Sequence, residues 1–235
     1  MNLILLFKTD FIDEKKVRLT DRRAEHIRLI HKPEVGDQLQ VGLLDGKIGI
    51  GVVSLVSEAQ VEMEVQFERA PPLALPVTLL VAMHRPIVLK RVLYTATMMG
   101  VKNIIVFHSF RVEKSFWNSS LLKNEEWREH LLLGLEQAGD TILPKVTFRK
   151  RFKPFLEDEV PEMVKGTTAL VAHPGGALLN KIAVNAPVIL AVGPEGGFID
   201  YEIEMFKKAG FTLVGLGERI LRVETAVTAL LAKLF

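Results

Sequence analysis

The sequence predicts an α/β fold with a mainly parallel sheet, preceded by a small β-rich domain. From residue 77 onward, short apolar runs alternate with helical patterns, which is typical of strand–helix–strand units with helices on both faces of a sheet. Residues 1–70 instead carry several short strand patterns and one short helix. The stretch 69–76 contains three prolines and indicates a stiff linker. We therefore predict one domain at residues 1–72 and a second at residues 73–235.

Composition narrows the class of protein. The chain has 235 residues, of which 49% are hydrophobic, and this is ample for a packed core. No window approaches eighteen uninterrupted apolar residues, so we expect no membrane span. There is no cysteine and the six histidines show no metal-ligand spacing, so we expect neither a disulfide nor a bound metal. The N-terminus lacks a basic leader and a cleavage site, so we expect a first strand there and not a signal peptide. The absence of cysteine suits a cytoplasmic protein.

The first domain is expected to begin with a strand at residues 3–7. Asp21 follows Thr20 and can cap a short helix, which Pro33 ends. The apolar face of this helix is predicted to consist of Ala24, Ile27 and Ile30.

A hairpin and a further strand complete this domain. Residues 38–44 and 47–56 are separated by Asp45-Gly46, and Asp-Gly between two strand patterns is a strong hairpin signal. Apolar and polar residues alternate strictly over residues 60–67, which predicts a strand with one solvent-exposed face. Several short strands and one helix fit a small barrel.

The second domain is predicted to alternate strands and helices. Its strands are expected at residues 77–83, 103–108, 145–148, 168–173, 188–192 and 211–215. Pro86 can open a helix that ends before Gly100, since proline suits the first helical turn and glycine the position after the last. Asn118 or Ser119 can cap a long helix that extends to Ala138.

Two glycine-rich turns follow the last two predicted strands. Residues 193–198 read GPEGGF and residues 215–226 read GLGERILRVETA. Turns of this kind at the ends of neighbouring strands predict a ligand cleft, because glycines let the backbone approach a ligand closely. The second turn has Ile220 where a dinucleotide fingerprint needs its third glycine, and no P-loop motif occurs in the chain. The turns therefore favour a small ligand held by backbone groups.

Charged residues stand at the start of the last helix. Arg222 and Glu224 precede a segment that is otherwise nearly all apolar. Charges beside a buried element are costly unless they are paired or functional, so both are candidate site residues. For Glu224 the alternative is a carboxylate that stabilises the helix N-terminus. The near-continuous apolar helix also predicts a homodimer, since one subunit would hardly cover all of it.

Two basic runs stand out in a chain of net charge +2. Residues 145–153 hold five Lys or Arg and no acid, and residues 8–32 hold eight Lys or Arg and two His against five acids. Such runs are often only solvated faces, but two of them together favour a surface that faces RNA phosphates.

The pair of glycine-rich turns resembles the signature of the RsmE-type ribosomal RNA methyltransferases of the SPOUT superfamily. GPEGGF and LGERILRVETA carry this resemblance, which extends more thinly over the whole chain. It implies a PUA-like β-barrel that holds RNA at residues 1–72 and a trefoil-knotted α/β methyltransferase domain at residues 73–235. It further implies S-adenosylmethionine as cofactor, a homodimer, and methylation of N3 of a uridine in small-subunit ribosomal RNA.

The resemblance also implies roles for individual residues. The cofactor pocket is expected to be lined by His173, Pro174, Gly175, Gly193, Pro194, Glu195, Gly196, Gly197, Leu216, Gly217, Ile220, Leu221, Arg222, Thr225 and Ala226. For His173, which closes a strand, the alternative to a cofactor contact is a structural role. The residues expected to contact RNA are Arg22, Arg23, Arg28, Arg111, Lys114, Arg149, Lys150, Arg151 and Arg219.

Methylation of a uracil ring nitrogen requires the loss of its proton, and no metal is needed. A general base and a cation that stabilises the resulting anion would supply this. Arg222 is the candidate cation. Glu224 or Glu195 is the candidate base. Alternatively, either carboxylate only positions the loops.

Three positions depart from the family pattern. Asp140 stands where the family has an arginine after Glu-Gln-x-Gly, Phe110 where many members have a glutamate, and Met98 where the family has the glutamate of Glu-Leu-Gly-Val. These departures leave the target nucleotide open. The rival hypotheses are a related methyltransferase with another RNA target and a non-catalytic RNA-binding or ribosome-assembly protein.

Overall fold

The computed structural model describes residues 2–179 and 186–235, which form two compact units. The first unit contains Met1–Leu73 and Leu132–Leu143, and the second contains Ala74–Leu131 and Pro144–Phe235. The predicted boundary near residue 72 lies beside the observed division at residue 73. The prediction did not include the return of the chain to the first unit at residues 132–143.

The first unit is built on a five-stranded sheet. Its strands are β1 (Ile4–Leu6), β2 (Lys16–Leu19), β3 (Gln38–Leu43), β4 (Ile48–Val56) and β5 (Val61–Arg69). They lie in the order β1-β3-β4-β5-β2, in which β1 and β3 are parallel and all other neighbours are antiparallel. The predicted hairpin corresponds to β3 and β4, with Asp45 in the left-handed region at φ 56°.

The helix of this unit differs from its prediction at one position. Helix α1 (Arg22–His26) is capped by the Asp21 side chain as expected, but the chain continues as a π turn over Ile27–His31. Ala24 and Ile27 are buried, whereas Ile30 is 67% exposed, so the predicted apolar face was wrong there. A π turn is wider than an α turn, and it rotates Ile30 away from the face that Ala24 and Ile27 share.

The returning segment completes the core of the first unit. Leu135 is fully buried against Leu3, Leu5 and Ile48. Thr141 fixes the end of the segment, because its hydroxyl donates to the carbonyl of Gly46 at 2.5 Å. Residues 132–143 therefore belong to this unit through both apolar packing and hydrogen bonds.

The second unit is built on a six-stranded sheet. Its strands are β6 (Val77–Ala82), β7 (Asn103–Phe107), β8 (Lys145–Arg149), β9 (Thr168–Leu178), β10 (Val188–Val192) and β11 (Thr212–Gly215). They lie in the order β11-β9-β10-β6-β7-β8, and every neighbouring pair is parallel. The predicted parallel sheet is confirmed. In a parallel sheet all strands end at the same edge, so the loops that follow them meet there.

Helices connect these strands. They are α2 (Pro86–Met98), α3 (Ser120–Lys123), α4 (Trp127–Ala138), α5 (Phe152–Pro154), α6 (Val160–Met163), α7 (Asp200–Lys208) and α8 (Val223–Leu234). A π turn at Phe155–Glu159 joins α5 to α6, and a 3-10 turn at Lys114–Asn118 precedes α3. None of the described helices is long and apolar enough to cross a membrane.

The predicted long helix is divided into α3 and α4. The chain leaves the helical path at Asn124, and Glu125 takes a left-handed conformation at φ 53°. The Asn124 side chain donates to the carboxylate of Glu126 at 3.2 Å. Asparagine suits helix C-termini better than helix interiors, which explains the break at this position.

The last helix buries one face within its own unit. Val223, Val227, Leu230 and Leu231 are buried, and α8 packs against α2. Its apolar composition is therefore largely satisfied inside one subunit, and it does not by itself require a second copy. Leu221 and Phe235, which flank the helix, remain partly exposed.

Aromatic side chains anchor the site-bearing loops of the second unit. The ring of Phe107 at the end of β7 packs against Phe155, Phe198 and Phe206 at centroid distances of 5.7, 6.2 and 6.2 Å. Phe198 is the last residue of the first glycine-rich turn and is buried. The turn is thus fixed to the core at its C-terminal end.

Candidate functional site

A cleft of about 650 Å³ lies at the carboxyl ends of β6, β10 and β11, beside the middle of the neighbouring strand β9. Its lining comes from the turns after β6, β10 and β11, from residues 172–174 of β9, and from the facing sides of α2 and α8. This is the place where open parallel sheets bind ligands, since the carboxyl ends of the strands converge there.

Most of the residues predicted to hold a cofactor line this cleft. They are His173, Pro174, Gly193, Pro194, Glu195, Gly196, Gly197, Leu216, Gly217, Ile220, Leu221, Arg222 and Ala226. Gly175 and Thr225 do not line it: Gly175 is exposed within β9 at φ 83°, and Thr225 is exposed in the first turn of α8.

The cleft depends on close backbone approach between β9 and β11. Val171 pairs with Leu213 and Ala177 with Val214, so the intervening residues 172–176 form a bulge. The predicted loop after β9 is therefore a bulge inside a longer strand. A Cβ atom on Gly176 would lie 2.6 Å from the carbonyl carbon of Val214, so only glycine fits there.

The second glycine-rich turn needs a residue with unusual backbone freedom. Gly217 has φ 112°, a conformation that side-chain-bearing residues rarely adopt. The turn then presents Leu216, Ile220 and Leu221 to the cleft, and Ile220 is 88% exposed. These apolar side chains can cover the flat face of a bound ring.

Glu195 of the first turn is held by groups that follow β6. Its Oε2 lies 3.1 Å from Nδ1 of His84, whose side chain is fully buried. The pKa of the Glu195 carboxyl is lowered, chiefly because His84 hydrogen-bonds to it; burial opposes the shift, and the backbone N–H groups of Glu195 and Arg85 favour it. The carboxylate is therefore ionised over a wide pH range.

Arg222 and Glu224 both line the cleft. Arg222 is the N-cap residue of α8, and Glu224 lies in the first helical turn. Arg91 of α2 places its Nη1 3.6 Å from a Glu224 oxygen, a longer contact than a direct hydrogen bond. One face of the cleft thus combines two guanidinium groups with one carboxylate.

A buried carboxylate ties two of the loops together. Glu202 of α7 is 2% exposed and accepts hydrogen bonds from the Ser109 hydroxyl at 3.2 Å and from the Phe110 backbone N–H at 2.9 Å. It also reaches back to the N–H of Ile199 at 3.1 Å, which caps the first turn of α7. In addition, the guanidinium of Arg111 donates to the Gly196 carbonyl.

The sequence interpretation missed His84, Arg85, Arg91 and Glu202. A signal was present for the first two, because they stand between a buried strand and a proline-opened helix. That is the same strand-to-helix junction that identified the glycine-rich turns. Arg91 and Glu202 lie inside ordinary amphipathic helices, and no local pattern distinguishes them from surface residues.

Arg23 was predicted to contact RNA, and the structure corrects this. Its guanidinium is buried and forms ion pairs of 2.7 Å with both Asp10 and Asp21. It also donates to the Leu5 carbonyl at 2.6 Å and lies over the ring of Phe7. These partners accept hydrogen bonds from all three guanidinium nitrogens of Arg23. The residue therefore organises the first unit and is not accessible to a phosphate.

Other predicted RNA contacts differ in accessibility. Arg22 makes two hydrogen bonds of 3.0 Å with the buried carboxylate of Glu136, yet its side chain is partly exposed. Arg28 is half-buried. Arg149 is half-buried and bound to Glu159 at 2.7 Å. The exposed members of the predicted set are Arg22, Arg111, Lys114, Lys150, Arg151 and Arg219.

The three positions that depart from the family pattern lie in different environments. Asp140 is buried, and its Oδ1 accepts from the backbone N–H groups of Thr141 and Ile142 just after α4. Met98 is half-buried in α2. Phe110 is 75% exposed beside the loop that contacts the first glycine-rich turn. Of the three, only Phe110 presents a side chain that a large partner can reach.

Within the described ranges 2–179 and 186–235, no group of three or more histidine, aspartate or glutamate side chains is arranged to hold a metal ion. The groups that line the cleft include carboxylates, guanidinium groups and backbone donors. These groups can bind a small polar ligand and can accept or stabilise a proton and a developing negative charge.

Comparison with known proteins places these features in a family. The RNA methyltransferase domain family matches residues 71–234 of the chain. The whole chain is similar to ribosomal RNA small subunit methyltransferase E 1 of Borreliella burgdorferi, with 30% identity over 230 residues that cover 97% of this chain and 95% of the relative. Ribosomal RNA small subunit methyltransferase E of Treponema pallidum is 29% identical over 235 residues, covering 97% and 88%.

A solved structure shares the fold. The crystal structure of a ribosomal RNA small subunit methyltransferase E from Neisseria gonorrhoeae, bound to S-adenosyl methionine, superposes with a TM-score of 0.77. It covers 98% of this chain and 95% of that chain, at 24% sequence identity.

Proposed function

This chain belongs to the RsmE-type family of RNA methyltransferases, and from that premise we propose that it methylates N3 of a uridine in small-subunit ribosomal RNA with S-adenosylmethionine as the methyl donor. The observation that carries the proposal is the cleft at the strand ends, whose lining includes both glycine-rich turns together with Arg222 and Glu224. The names of the relatives support ribosomal RNA as the substrate.

The cleft has the size and lining that the cofactor needs. Its volume of about 650 Å³ lies within the range of roughly 300 to 1,000 Å³ that is usual for small-molecule sites. Backbone groups of residues 193–197 and 216–221 would bind the polar edge of the adenosine, and Leu216, Ile220 and Leu221 would cover the ring. When bound, the cofactor supplies an electrophilic methyl group whose carbon–sulfur bond breaks with the electron pair kept on sulfur.

The side chains of the cleft would accept the proton of the target base and stabilise its negative charge. Deprotonation of N3 places negative charge on the neighbouring carbonyl oxygens, which the Arg222 guanidinium would stabilise. Glu224 or Glu195 would accept the N3 proton, as both carboxylates line the cleft. The nitrogen lone pair then forms the new bond to the methyl carbon, so the methyl group ends on N3 and the proton on a carboxylate.

We propose that the first unit is the PUA-like module of the family and helps to hold RNA. Its five-stranded sheet and its apolar core support this. The cations proposed to contact phosphates are Arg22, Arg28, Arg111, Lys114, Arg149, Lys150, Arg151 and Arg219. Cations at such positions would add a salt-dependent, sequence-independent contribution to RNA binding.

The knot and the dimer of the family are also proposed for this chain. The turn at residues 216–222 leads directly into α8, which suits threading of this helix through the cofactor loop. Exposed apolar residues at both ends of α8, Ile220, Leu221 and Phe235, support a second copy as partner. Light scattering on purified protein tests the dimer, and a monomer at all concentrations would contradict it. A ribosomal RNA substrate would place the protein in the cytoplasm.

The activity is tested with purified small ribosomal subunits and methyl-labelled cofactor. We expect label to appear as N3-methyluridine after nucleoside digestion and mass spectrometry. Label in another nucleoside would show a different RNA target, and cofactor binding without transfer to any RNA would favour the non-catalytic hypothesis. A parallel reaction with Arg222→Ala controls for contaminating methyltransferases, because that variant should transfer label about a hundredfold more slowly.

A further inference from the structure

We propose that His84 is a positioning residue for the cofactor-binding turn, and that it makes Glu195 a structural clamp of that turn instead of the base that accepts the proton. This inference rests on the proposed function. It decides between the two carboxylates that the mechanism leaves open, and it assigns proton acceptance to Glu224.

The sheet brings His84 and Glu195 together. Strands β6 and β10 are parallel neighbours, and Val81 pairs with Val192 near their ends. His84 and Glu195 each follow a strand end by two or three residues, so they meet at the same edge. His84 is 0% exposed, and its Nδ1 lies 3.1 Å from the Glu195 carboxylate.

The surroundings of the Glu195 carboxylate stabilise it as an anion. His84 lies at hydrogen-bonding distance, and the backbone N–H groups of Arg85 and of Glu195 itself also favour the ionised form. Donors of this kind stabilise the ionised form, which is why the pKa of this carboxyl is lowered. A carboxylate that is stabilised as an anion is a weaker proton acceptor, so Glu195 is poorly suited to general-base catalysis.

The ring of His84 is suited to donate from one nitrogen only. Nε2 is buried and has no hydrogen-bonding partner among the described residues. A proton on Nε2 would be an unsatisfied buried donor, whereas a proton on Nδ1 is used by Glu195. The structure therefore assigns the Nδ1–H tautomer to His84, with the ring donating to the carboxylate.

The contact fixes the first glycine-rich turn from one side. Pro194 and Gly196, which flank Glu195, line the cleft, so a shift of the carboxylate would move the cofactor-binding backbone. Arg111 holds the Gly196 carbonyl from the loop after β7. The turn is thus bound to the ends of β6 and β7 in addition to its anchor at Phe198, and the removal of His84 would free one of these attachments.

Glu224 differs from Glu195 in its surroundings. It lines the same cleft, stands two residues from Arg222, and faces Arg91 at 3.6 Å. That distance is too long for a strong hydrogen bond. Its oxygens are therefore freer to take a proton from a base bound beside Arg222.

The inference is tested first by cofactor binding. His84→Leu removes the donor but keeps an apolar side chain of similar bulk, whereas His84→Asn places an amide donor near the position of Nδ1. Calorimetric titration with S-adenosylmethionine should show affinity weakened about tenfold or more in His84→Leu, since a hydrogen bond to a charged group is lost. His84→Asn should recover most of the affinity. Equal affinity for wild-type and His84→Leu would overturn the inference.

Two further readouts separate positioning from a merely structural role. Nitrogen NMR of the histidine rings should show His84 in the Nδ1–H tautomer without cofactor, and the Nε2–H tautomer would contradict the proposal. The acid limb of the pH profile of kcat should persist in Glu195→Gln and disappear in Glu224→Gln. The reverse would identify Glu195 as the base. If the wild-type protein bound no cofactor at all, the proposed function would fail, and this inference with it.

Discussion

At the scale of single residues, the strongest prediction concerns Arg222. Arg222→Ala should lower the single-turnover rate of methyl transfer by about a hundredfold or more, because a positioned donor that meets developing charge contributes on this scale. The melting temperature should barely change, since the side chain is exposed at the cleft. The rate is measured with saturating cofactor and small-subunit RNA.

Arg219→Ala is the matched control, because Arg219 is an exposed arginine on the same cleft. We expect it to weaken RNA binding and to leave a larger fraction of the single-turnover rate than Arg222→Ala does. Equal rates for the two variants would remove the special role of Arg222.

A second residue-scale prediction concerns pH. Trp117 donates from Nε1 to Nδ1 of His108 at 3.0 Å, so Nδ1 must be unprotonated. Burial lowers the pKa of His108 below its usual value of 6.5, and Lys114 adds to this while Glu202 opposes it. A lowered histidine pKa stabilises the fold above pH 6.5, and that contribution is lost as the pH falls through the folded-state pKa.

The fluorescence of Trp117 can report this loss. The chain has two tryptophans, so Trp127→Phe leaves Trp117 as the only tryptophan, and excitation at the red edge of the absorption band selects it over the tyrosines. We expect an emission change on acidification with its midpoint below pH 6.5. His108→Gln in the same background should abolish the change, since an amide oxygen accepts the bond without titrating. A transition that persists in that variant would show that another group is responsible.

Sequence reasoning at this scale could locate cleft residues where a residue conflicts with its neighbours. Arg222 and Glu224 stood out because they interrupt an apolar helix, and both line the cleft. Arg23 was misjudged because a basic run does not reveal which member turns inward to pair with acids. His84 was missed because its partner, Glu195, is distant in sequence and only the sheet brings them together.

At the scale of elements, Glu202 is the residue that joins the loop after β7 to helix α7. Glu202→Ala would leave the Ser109 hydroxyl and the N–H groups of Phe110 and Ile199 without this acceptor. We expect a loss of about 3 kcal/mol in the free energy of unfolding, since each unsatisfied buried donor costs roughly 1 to 3 kcal/mol and part of the loop can relax towards water. Urea denaturation measures the difference.

Glu204→Ala provides the comparison for this prediction. Glu204 lies on the same helix, and its pair with Lys207 is solvent-exposed. Its removal should change the free energy of unfolding by less than about 0.5 kcal/mol. Hydrogen exchange at residues 109–111 should accelerate in Glu202→Ala only. Similar unfolding energies for the two variants would show that Glu202 does not hold the loop.

The elements differ in how well the sequence predicts them. The strands of the second unit were predictable because a run such as residues 188–192 is apolar on both faces and therefore buried. The sequence did not predict three features: the break between α3 and α4, the π turn after α1, and the bulge in β9. Each is a local departure from regular geometry, at Glu125, at Ile27–His31 and at residues 172–176, and periodicity averages over such positions.

At the scale of the whole molecule, the boundary at residue 73 was predictable because prolines mark it. The return of residues 132–143 to the first unit could not be predicted, because the division falls within α4, between Leu131 and Leu132. Nothing in the local pattern separates the two parts of this helix. The partners of Leu135, among them Leu3 and Ile48, lie far away in sequence.

This division predicts that residues 1–73 do not fold alone. Without residues 132–143, the cluster around Leu3 and Leu5 loses the fully buried Leu135. The N–H groups of Asn2 and Leu3 also lose the Glu136 carbonyl to which they donate at 3.1 and 3.0 Å. A small domain has little stability in reserve, so these losses should abolish cooperative unfolding.

Restoring the segment should restore the fold. Residues 1–73 joined to residues 132–143 by a flexible glycine–serine linker should melt cooperatively and show dispersed NMR signals, whereas residues 1–73 alone should not. The same fusion with Leu135→Asp is the matched control, because an unpaired charge in this apolar cluster costs more than the small unit can supply. Cooperative melting of residues 1–73 alone would show that the returning segment is an accessory and not part of the core. Folding of the fusion but not of its Leu135→Asp variant would show that the first unit is completed only after the chain has left it and come back.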